Sequence, residues 1–288
     1  REVPATDSAV NKGFLRESYR LCHLSDSRLV PVQAHFHEFS KAVIILGGTV
    51  DYTVEGERCP LRRGDVLLVP HHDVHRPVFS DEDVYERAVL WIDPAYLAAL
   101  PGGLDACFVG CAERGTHLLR PPAELWSALC RAVSALEREA VCGAYASREA
   151  QDALFSLIMI TLCRAAEAGS APGSSSGGVG AAVRYIGSHL SDELSIDSLA
   201  GLCYLSRYHF MRRFKAETGY TVHGYITLKR MTEASRLLGE GMSASQTAAS
   251  VGISEYSTFL RAFRRQFGMT PAEFVRRGAA PLGSSFSE

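Results

Sequence analysis

The stretch SASQTAASVGISEYSTFLRAFRRQFGMT, residues 243–270, decides the fold, because the chain contains it twice. The earlier copy is SIDSLAGLCYLSRYHFMRRFKAETGYT, residues 195–221. At an offset of 48, Ser195 meets Ser243, Ala200 meets Ala248 and Ser206 meets Ser254. One added residue moves the offset to 49. Phe210, Arg212, Phe214, Lys215 and Gly219 then meet Phe259, Arg261, Phe263, Arg264 and Gly268, and Tyr225 meets Phe274. A self-match of this extent marks one structural unit used twice.

Each copy reads as a short helix with a small Ala at its middle, a tight turn and a longer helix. Ser206 and Ser254 are expected to supply the capping oxygen of the longer helices. Gly219 and Gly268 fall just past them, where a left-handed residue is wanted. This is helix-turn-helix grammar, with the Ala allowing the two helices to cross closely. Phe210 and Phe214, four apart, should face inward, as should Phe259, Phe263 and Phe267. The opposite face carries Tyr208, Met211, Arg212 and Lys215 in the first copy, and Ser257, Leu260, Arg261 and Arg264 in the second. Arginine can bond guanine bidentately, serine can bond any base edge, and Met or Leu can touch a thymine methyl. Lys215, Arg264 and Arg265 are better placed for phosphates. A solvated amphipathic face explains one such helix easily, but two matching helices poorly.

Residues 222–239, VHGYITLKRMTEASRLLG, carry a helical pattern that would run about 27 Å. Successive major-groove faces on one side of a duplex lie about 34 Å apart. A rigid helix of this length would seat two reading heads in adjacent grooves, so each chain should recognise a bipartite, non-palindromic site in double-stranded DNA.

The charge distribution agrees. The 288-residue chain has a net charge of −2, but residues 181–288 hold 13 Lys and Arg against 9 Asp and Glu, a net of +4, leaving −6 for residues 1–180. Only the C-terminal third therefore suits a polyanion. Apolar residues at 47% and charged residues at 22% describe a soluble globular chain with room for two domains. No apolar run reaches the ~20 residues that span a bilayer, and no signal-peptide pattern is seen, so a cytoplasmic location with no membrane partner is expected. Eight cysteines without a CxxC pair fit a reducing compartment; Cys107 and Cys111 are the nearest neighbours.

Upstream the texture changes. Between about residues 28 and 93, KAVIIL, TVDYTVEG and DVLLVP are short β-branched runs separated by Gly-containing turns. Val50, Tyr52 and Val54 alternate with Asp51, Thr53 and Glu55, as in a half-buried hairpin. Helical stripes follow at about 122–140 and 147–166. Residues 169–180, GSAPGSSSGGVG, hold almost no side chain able to pack and read as a flexible linker. The expected organisation is residues 1–168 as one domain, 169–180 as linker, 181–278 as an all-α domain and 279–288 as a tail.

The segment GISEYSTFLRAFRRQFGMTPAEFVRR resembles the signature of the AraC/XylS family of bacterial transcription regulators. The likeness extends back through LSIDSLAGLCYLSRYHFMRRFKAETGYTVHGYI to cover roughly residues 181–277. It implies two helix-turn-helix units joined by a long helix, with base contacts from Arg207, Tyr208, Met211 and Arg212 and from Tyr256, Ser257 and Arg261. Ile253 and Thr258 stand where the family usually has aromatics. The β-rich front resembles the cupin-like sensory domain common in this family, a β-barrel followed by helices. HFHEFSK, residues 35–41, lies at the first cupin motif and GDVLLVPHHDVH, residues 64–75, at the second.

A complete metal cupin would offer His35, His37, an acid at position 41, and His75. Residues i and i+2 of a strand point the same way, so His35 and His37 can converge on one point, with His75 reaching it from a neighbouring strand. Three imidazoles alone suffice for a zinc site with an open position. Lys41, however, stands where the acid should be and adds repulsion beside a divalent cation. Glu38 is no ready substitute, since it points away from His37. The pocket therefore favours an anionic or oxygen-rich effector held by His35, His37, Lys41 and His75, with Trp91 as core or as one wall. Two alternatives stay open: histidines bonded inside the barrel with no ligand, and a bound transition metal on His35, His37 and His75. No cofactor is expected. A metal-dependent cupin enzyme is the rival function, weakened by the missing acid and by a hundred residues of reading heads it leaves unexplained. No GxSxG, paired carboxylate or phosphate loop offers another chemistry, so the chain reads as a non-enzyme. An architectural DNA-binding protein that senses nothing is the third reading. In the family the helices after the barrel dimerise, which implies a homodimer, the alternative being that they simply cover the barrel; an activator would also meet RNA polymerase.

Overall fold

The computed structural model describes residues 15, 17–26, 32–79, 85–169 and 178–278. Most of the expected linker, residues 170–177, and the expected tail, 279–288, lie outside the described residues. The chain divides into two compact units, Arg1–Gly178 and Val179–Glu288.

Among the described residues the first unit is built on eight strands: β1 (Tyr19–Asp26), β2 (Ser40–Gly47), β3 (Thr49–Val54), β4 (Glu57–Arg62), β5 (Val66–Val69), β6 (His75–Val78), β7 (Tyr85–Ile92) and β8 (Leu118–Leu119). They form two antiparallel sheets, of order β1-β7-β2-β5-β8 and β4-β3-β6. The larger sheet is covered on both faces. Val43 and Ile45 of β2, Leu67 of β5 and Val89 of β7 turn toward Val50, Tyr52 and Val54 of the smaller sheet. The alternate residues Ala42, Ile44, Leu68 and Leu90 meet helices. That explains why KAVIIL is continuously apolar while TVDYTV alternates: β3 has a wet outer face and β2 has none.

The helices on that second face are α1 (Pro94–Ala99), α2 (Ala106–Arg114), α3 (Ala123–Cys142) and α4 (Ser147–Ala168). α3 and α4 are the two helices expected from the apolar stripes. Leu129, Val133 and Leu136 of α3 and Phe155, Ile158 and Leu162 of α4 are buried. Tyr19 of β1 stacks on Phe155 at 4.2 Å and donates a hydrogen bond to Asp152 at 2.8 Å, pinning α4 to the sheet edge.

The described residues of the second unit form helices and connecting turns: α5 (Gly180–Ser188), α6 (Ile196–Leu202), α7 (Arg207–Thr218), α8 (Val222–Gly239), α9 (Ala244–Ser250), α10 (Tyr256–Phe267) and α11 (Pro271–Gly278). α6–α7 and α9–α10 are the duplicated pairs, and α8 spans the connector read from sequence. Two backbone bonds of the turns repeat at the offset of 48. Tyr204 N donates to Gly201 O and Leu205 N to Ala200 O; Gly252 N donates to Ala249 O and Ile253 N to Ala248 O. Phe210, Phe214, Phe259 and Phe263 are fully buried. Gly219 and Gly268 end α7 and α10 with φ of 81° and 72°.

Capping differs from expectation. Ser206 stands at the N-cap of α7, but its hydroxyl makes no capping bond and meets His209 Nδ1 at 3.3 Å instead. The N-cap of α10 is Glu255, not Ser254. The added residue lies in the second turn, so it pushes Ser254 one place out of register. The serines that do cap are Ser195, accepting from Ser198 N at 3.1 Å, and Ser243, accepting from Gln246 N at 3.4 Å; both sit at the entry of the short helices. No helix among the described residues is long and apolar enough to cross a membrane.

Candidate nucleic-acid interface and effector pocket

On α7 the buried phenylalanines fix which side faces out. Tyr208 is 69% exposed, Met211 36%, and Arg207, Arg212 and Lys215 are also exposed. On α10 Tyr256, Ser257, Arg261 and Arg264 are exposed. Leu260 is the exception among the sequence candidates: it is only partly exposed and packs against the cluster around Phe259 and Phe263. The basic residues Lys215, Arg264 and Arg265 occupy the last turns of α7 and α10.

Several of these side chains are pre-set by neighbours. Arg207 Nη1 bonds Asp197 at 2.8 Å in an exposed pair, and Arg261 Nη2 donates to Thr258 Oγ1 at 3.2 Å. Glu255 takes hydrogen bonds from the hydroxyls of Ser257 and Thr258, the latter at 2.8 Å. Those two bonds, Ser257's first, hold its carboxyl below the ordinary carboxylate range. Glu255 thus joins the exposed tip of α10. No sequence signal marked it, yet a carboxylate can accept from cytosine N4.

In the first unit, His35 and His75 pair across a narrow antiparallel bridge. His35 N donates to His75 O at 3.1 Å, and His75 N to His35 O at 2.8 Å. The two rings stand 4.6 Å apart, and His37 lies 4.9 Å from His35 and 5.1 Å from His75. His37 is not in a regular strand, since β2 begins at Ser40, but the three side chains converge as the i, i+2 spacing predicted. One ring nitrogen from each lies within 4.8 Å of the others.

The rings are oriented from behind. His35 Nδ1 lies 2.7 Å from Gln33 O, and His75 Nδ1 lies 2.9 Å from Asp73 O. A carbonyl only accepts, so both Nδ1 atoms carry the proton and both Nε2 atoms present lone pairs when the rings are neutral. His75 is held neutral: burial first, then the charge of Lys41 and the two neighbouring imidazoles, keep it well below the ordinary imidazole range. Its Nε2 has no hydrogen-bond partner among the described residues, and neither has Trp91 Nε1.

Lys41 is buried on β2, cross-strand from Trp91 on β7. Phe39 extends the wall, 5.3 Å from Trp91 and stacked on His37 at 4.5 Å. All five sequence-predicted pocket residues thus belong to one region of the first unit. His71 is exposed, while His72 Nε2 bonds Glu38 at 2.6 Å, so neither histidine joins the cluster. Three ring nitrogens within 4.8 Å of one another, two of them on rings backed by carbonyls, fit a borderline divalent cation. The buried ammonium beside them, with no carboxylate among the cluster residues, opposes one.

Comparison with known proteins covers both units. A helix-turn-helix domain model matches residues 199–277 and a cupin domain model residues 29–92. The probable transcription factor PqrA of Proteus vulgaris is 35% identical over 92 residues, 32% of this chain and 75% of that protein. The HTH-type transcriptional activator RhaS of Escherichia coli is 25% identical over 252 residues, 85% of this chain and 87% of that one. The probable transcriptional regulator LumQ of Photobacterium leiognathi is 36% identical over 91 residues, 31% of this chain. The chain spans only about a third of the length of LumQ and of the regulatory protein PocR, 37% and 31%. Among solved structures, a probable AraC family transcriptional regulator from Rhodopseudomonas palustris shares 26% identity over 35% of this chain and 95% of that one, with a TM-score of 0.33.

Proposed function

The chain belongs to the AraC/XylS family of transcription regulators, and on that premise we propose that it binds double-stranded DNA sequence-specifically under the control of a small effector held in its barrel. The observation that carries the DNA reading is the matched pair of helices, α7 and α10, each hiding its phenylalanines and presenting an arginine at the same register. Arg212 and Arg261 read bases, with Arg207, Tyr208, Met211, Tyr256 and Ser257 beside them. Lys215 and Arg264 hold phosphates, and Leu260 contributes at most its exposed edge. The protein works in the cytoplasm as a homodimer through α3 and α4, and meets RNA polymerase where it activates.

The pocket chemistry narrows the effector. Toward the pocket, Nε2 of neutral His75, and of His35 when it is neutral, accepts a hydrogen bond, whereas Lys41 and Trp91 Nε1 donate. A bare carboxylate would satisfy the second pair and face lone pairs on the first. The molecule that suits both is oxygen-rich, carries at least one hydroxyl donor, and has a flat or apolar face for Phe39 and Trp91. Selection of duplexes from a random pool, followed by thermal-shift screening of hydroxylated acids and polyols, tests both halves. Failure to enrich any sequence would remove the DNA reading, and no shift with any hydroxylated compound would remove the effector chemistry.

A second reading is favoured by the three-imidazole cluster itself: a zinc-like cation on His35, His37 and His75, with bonds of about 2.0–2.1 Å. Metal analysis of the purified protein decides it, since a stoichiometric cation that His75→Ala abolishes would replace the organic effector.

A further inference from the structure

The two turns of the duplicated unit share two backbone hydrogen bonds and a left-handed residue at the same place, yet that residue is tyrosine in one and glycine in the other. Tyr204 has φ of 53° and Gly252 has φ of 73°. Left-handed backbone therefore does not by itself demand glycine here. What differs is the surroundings. Tyr204 is 97% exposed. A Cβ at Gly252 would stand 2.7 Å from both Leu190 O and Ser191 O, and 2.9 Å from Arg230 Nη2. Those carbonyls belong to the loop between α5 and α6, at the entry of the first helix-turn-helix pair. Arg230, on α8, completes the contact: its Nε donates to Leu190 O at 2.9 Å and its Nη2 to Asp192 O at 2.8 Å. The entry loop of the first pair, the middle of the connector and the turn of the second pair thus meet at one point.

We propose that Arg230 and Gly252 form a joint that fixes the angle between the two reading heads, and so sets the spacing between the two DNA subsites that one chain accepts. This rests on the DNA-binding reading above. A helix alone fixes length but not the rotation of what is attached at its ends. Rotation matters because one base pair of spacing turns the second subsite by about a tenth of a helical turn, with 10–10.5 base pairs per turn. The guanidinium holds two carbonyls of the loop from two nitrogens of one rigid planar fork, a geometry that the compact, freely rotating ammonium of lysine does not fix. Neither residue faces the DNA ridge; both are positioning residues.

The test uses the full chain and a duplex it selects from a random pool. Affinity is measured on that duplex, on versions with one base pair inserted or deleted between the subsites, and on a duplex keeping one subsite only. The wild-type chain should lose about tenfold or more with either spacing change. Arg230→Ala and Gly252→Ala should lose about tenfold on the selected duplex and vary less than about threefold across the three spacings. Their single-subsite affinity should stay within about twofold of wild type. Arg230→Lys, which keeps charge and bulk, should behave like Arg230→Ala and serves if Gly252→Ala does not fold. Variants that keep the wild-type spacing profile overturn the joint while leaving DNA binding intact. A wild-type chain that enriches no duplex overturns the joint and the reading beneath it together.

Discussion

At the scale of single residues, the strongest commitment concerns Arg212 and Arg261. Each good bidentate contact discriminates by about 1–3 kcal/mol, so Arg212→Ala and Arg261→Ala should each weaken binding to a selected duplex by roughly 5- to 150-fold. The double variant should fall to non-specific affinity, with its melting temperature unchanged because both side chains are exposed. Competition gel shifts with scrambled duplex measure this. Lys215→Ala should act differently, weakening all sequences alike and reducing the slope of log K against log salt by about one. The inward phenylalanines and outward arginines were legible because helical periodicity separates them. Glu255 was not, because the self-match does not say where its extra residue sits. Serine at position 254 looked like a cap only while the turn was assumed to be as short as the first. The tautomers of His35 and His75 were also hidden, since they depend on carbonyls two residues upstream in irregular backbone.

At the scale of elements, the short helices depend on their caps. α6 and α9 have seven residues each, too few to form without tertiary support. Ser195→Ala and Ser243→Ala should each cost about 1 kcal/mol. Ser206→Ala should cost less, because its hydroxyl caps nothing. Thermal melts followed by circular dichroism distinguish the two classes. A second element-level device links β1, β7 and α3. His23 bonds Glu86 through Nε2 and Glu137 through Nδ1, each at 3.0 Å. Both partners are carboxylates, so the arrangement needs the doubly protonated ring. Burial works against that charge, but the bonds to Glu86 and Glu137 outweigh it, and the pKa is raised. A raised folded-state pKa contributes stability that is complete below the unfolded value of about 6.5 and is lost as pH rises through the folded value. His23→Ala should therefore lower the melting temperature near pH 5.5 and leave it almost unchanged near pH 8.5. The side chain is 42% exposed, so solvent screening limits the effect to under about 1 kcal/mol. Equal shifts at both pH values would show that the ring contributes by packing instead. This contact could not be read from the sequence, since His23, Glu86 and Glu137 are far apart in the chain and carry no motif.

At the scale of the whole molecule, the boundary between units has a physical meaning. Val179 is fully buried, and its backbone N donates to Glu217 at 3.0 Å, so the second unit's packing begins there. A fragment from Gly178 to Gly278 holds its own core around Phe210, Phe214, Phe259 and Phe263. It should fold alone and select the same duplex sequence as one full chain, with no response to any effector. A fragment that melts without cooperativity would count against that independence. The two-unit organisation was legible from the change in hydrophobic period and from the Gly/Ser-rich stretch. The double burial of β2 and β7 needed the structure, because the strand pattern alone does not say which elements cover the larger sheet's second face.

The unequal turns also bear on ancestry and on engineering. Residues 195–219 and 243–268 descend in form from one template, but they have stopped being interchangeable parts. Grafting the later segment onto the earlier place puts a glycine where Tyr204 stands in open solvent, a change that costs little beyond backbone freedom. The opposite graft puts the Cβ of a tyrosine 2.7 Å from the carbonyl oxygens of Leu190 and Ser191. Any recombination that swaps these modules is a one-way operation, and a library built to re-specify both half-sites must leave position 252 untouched.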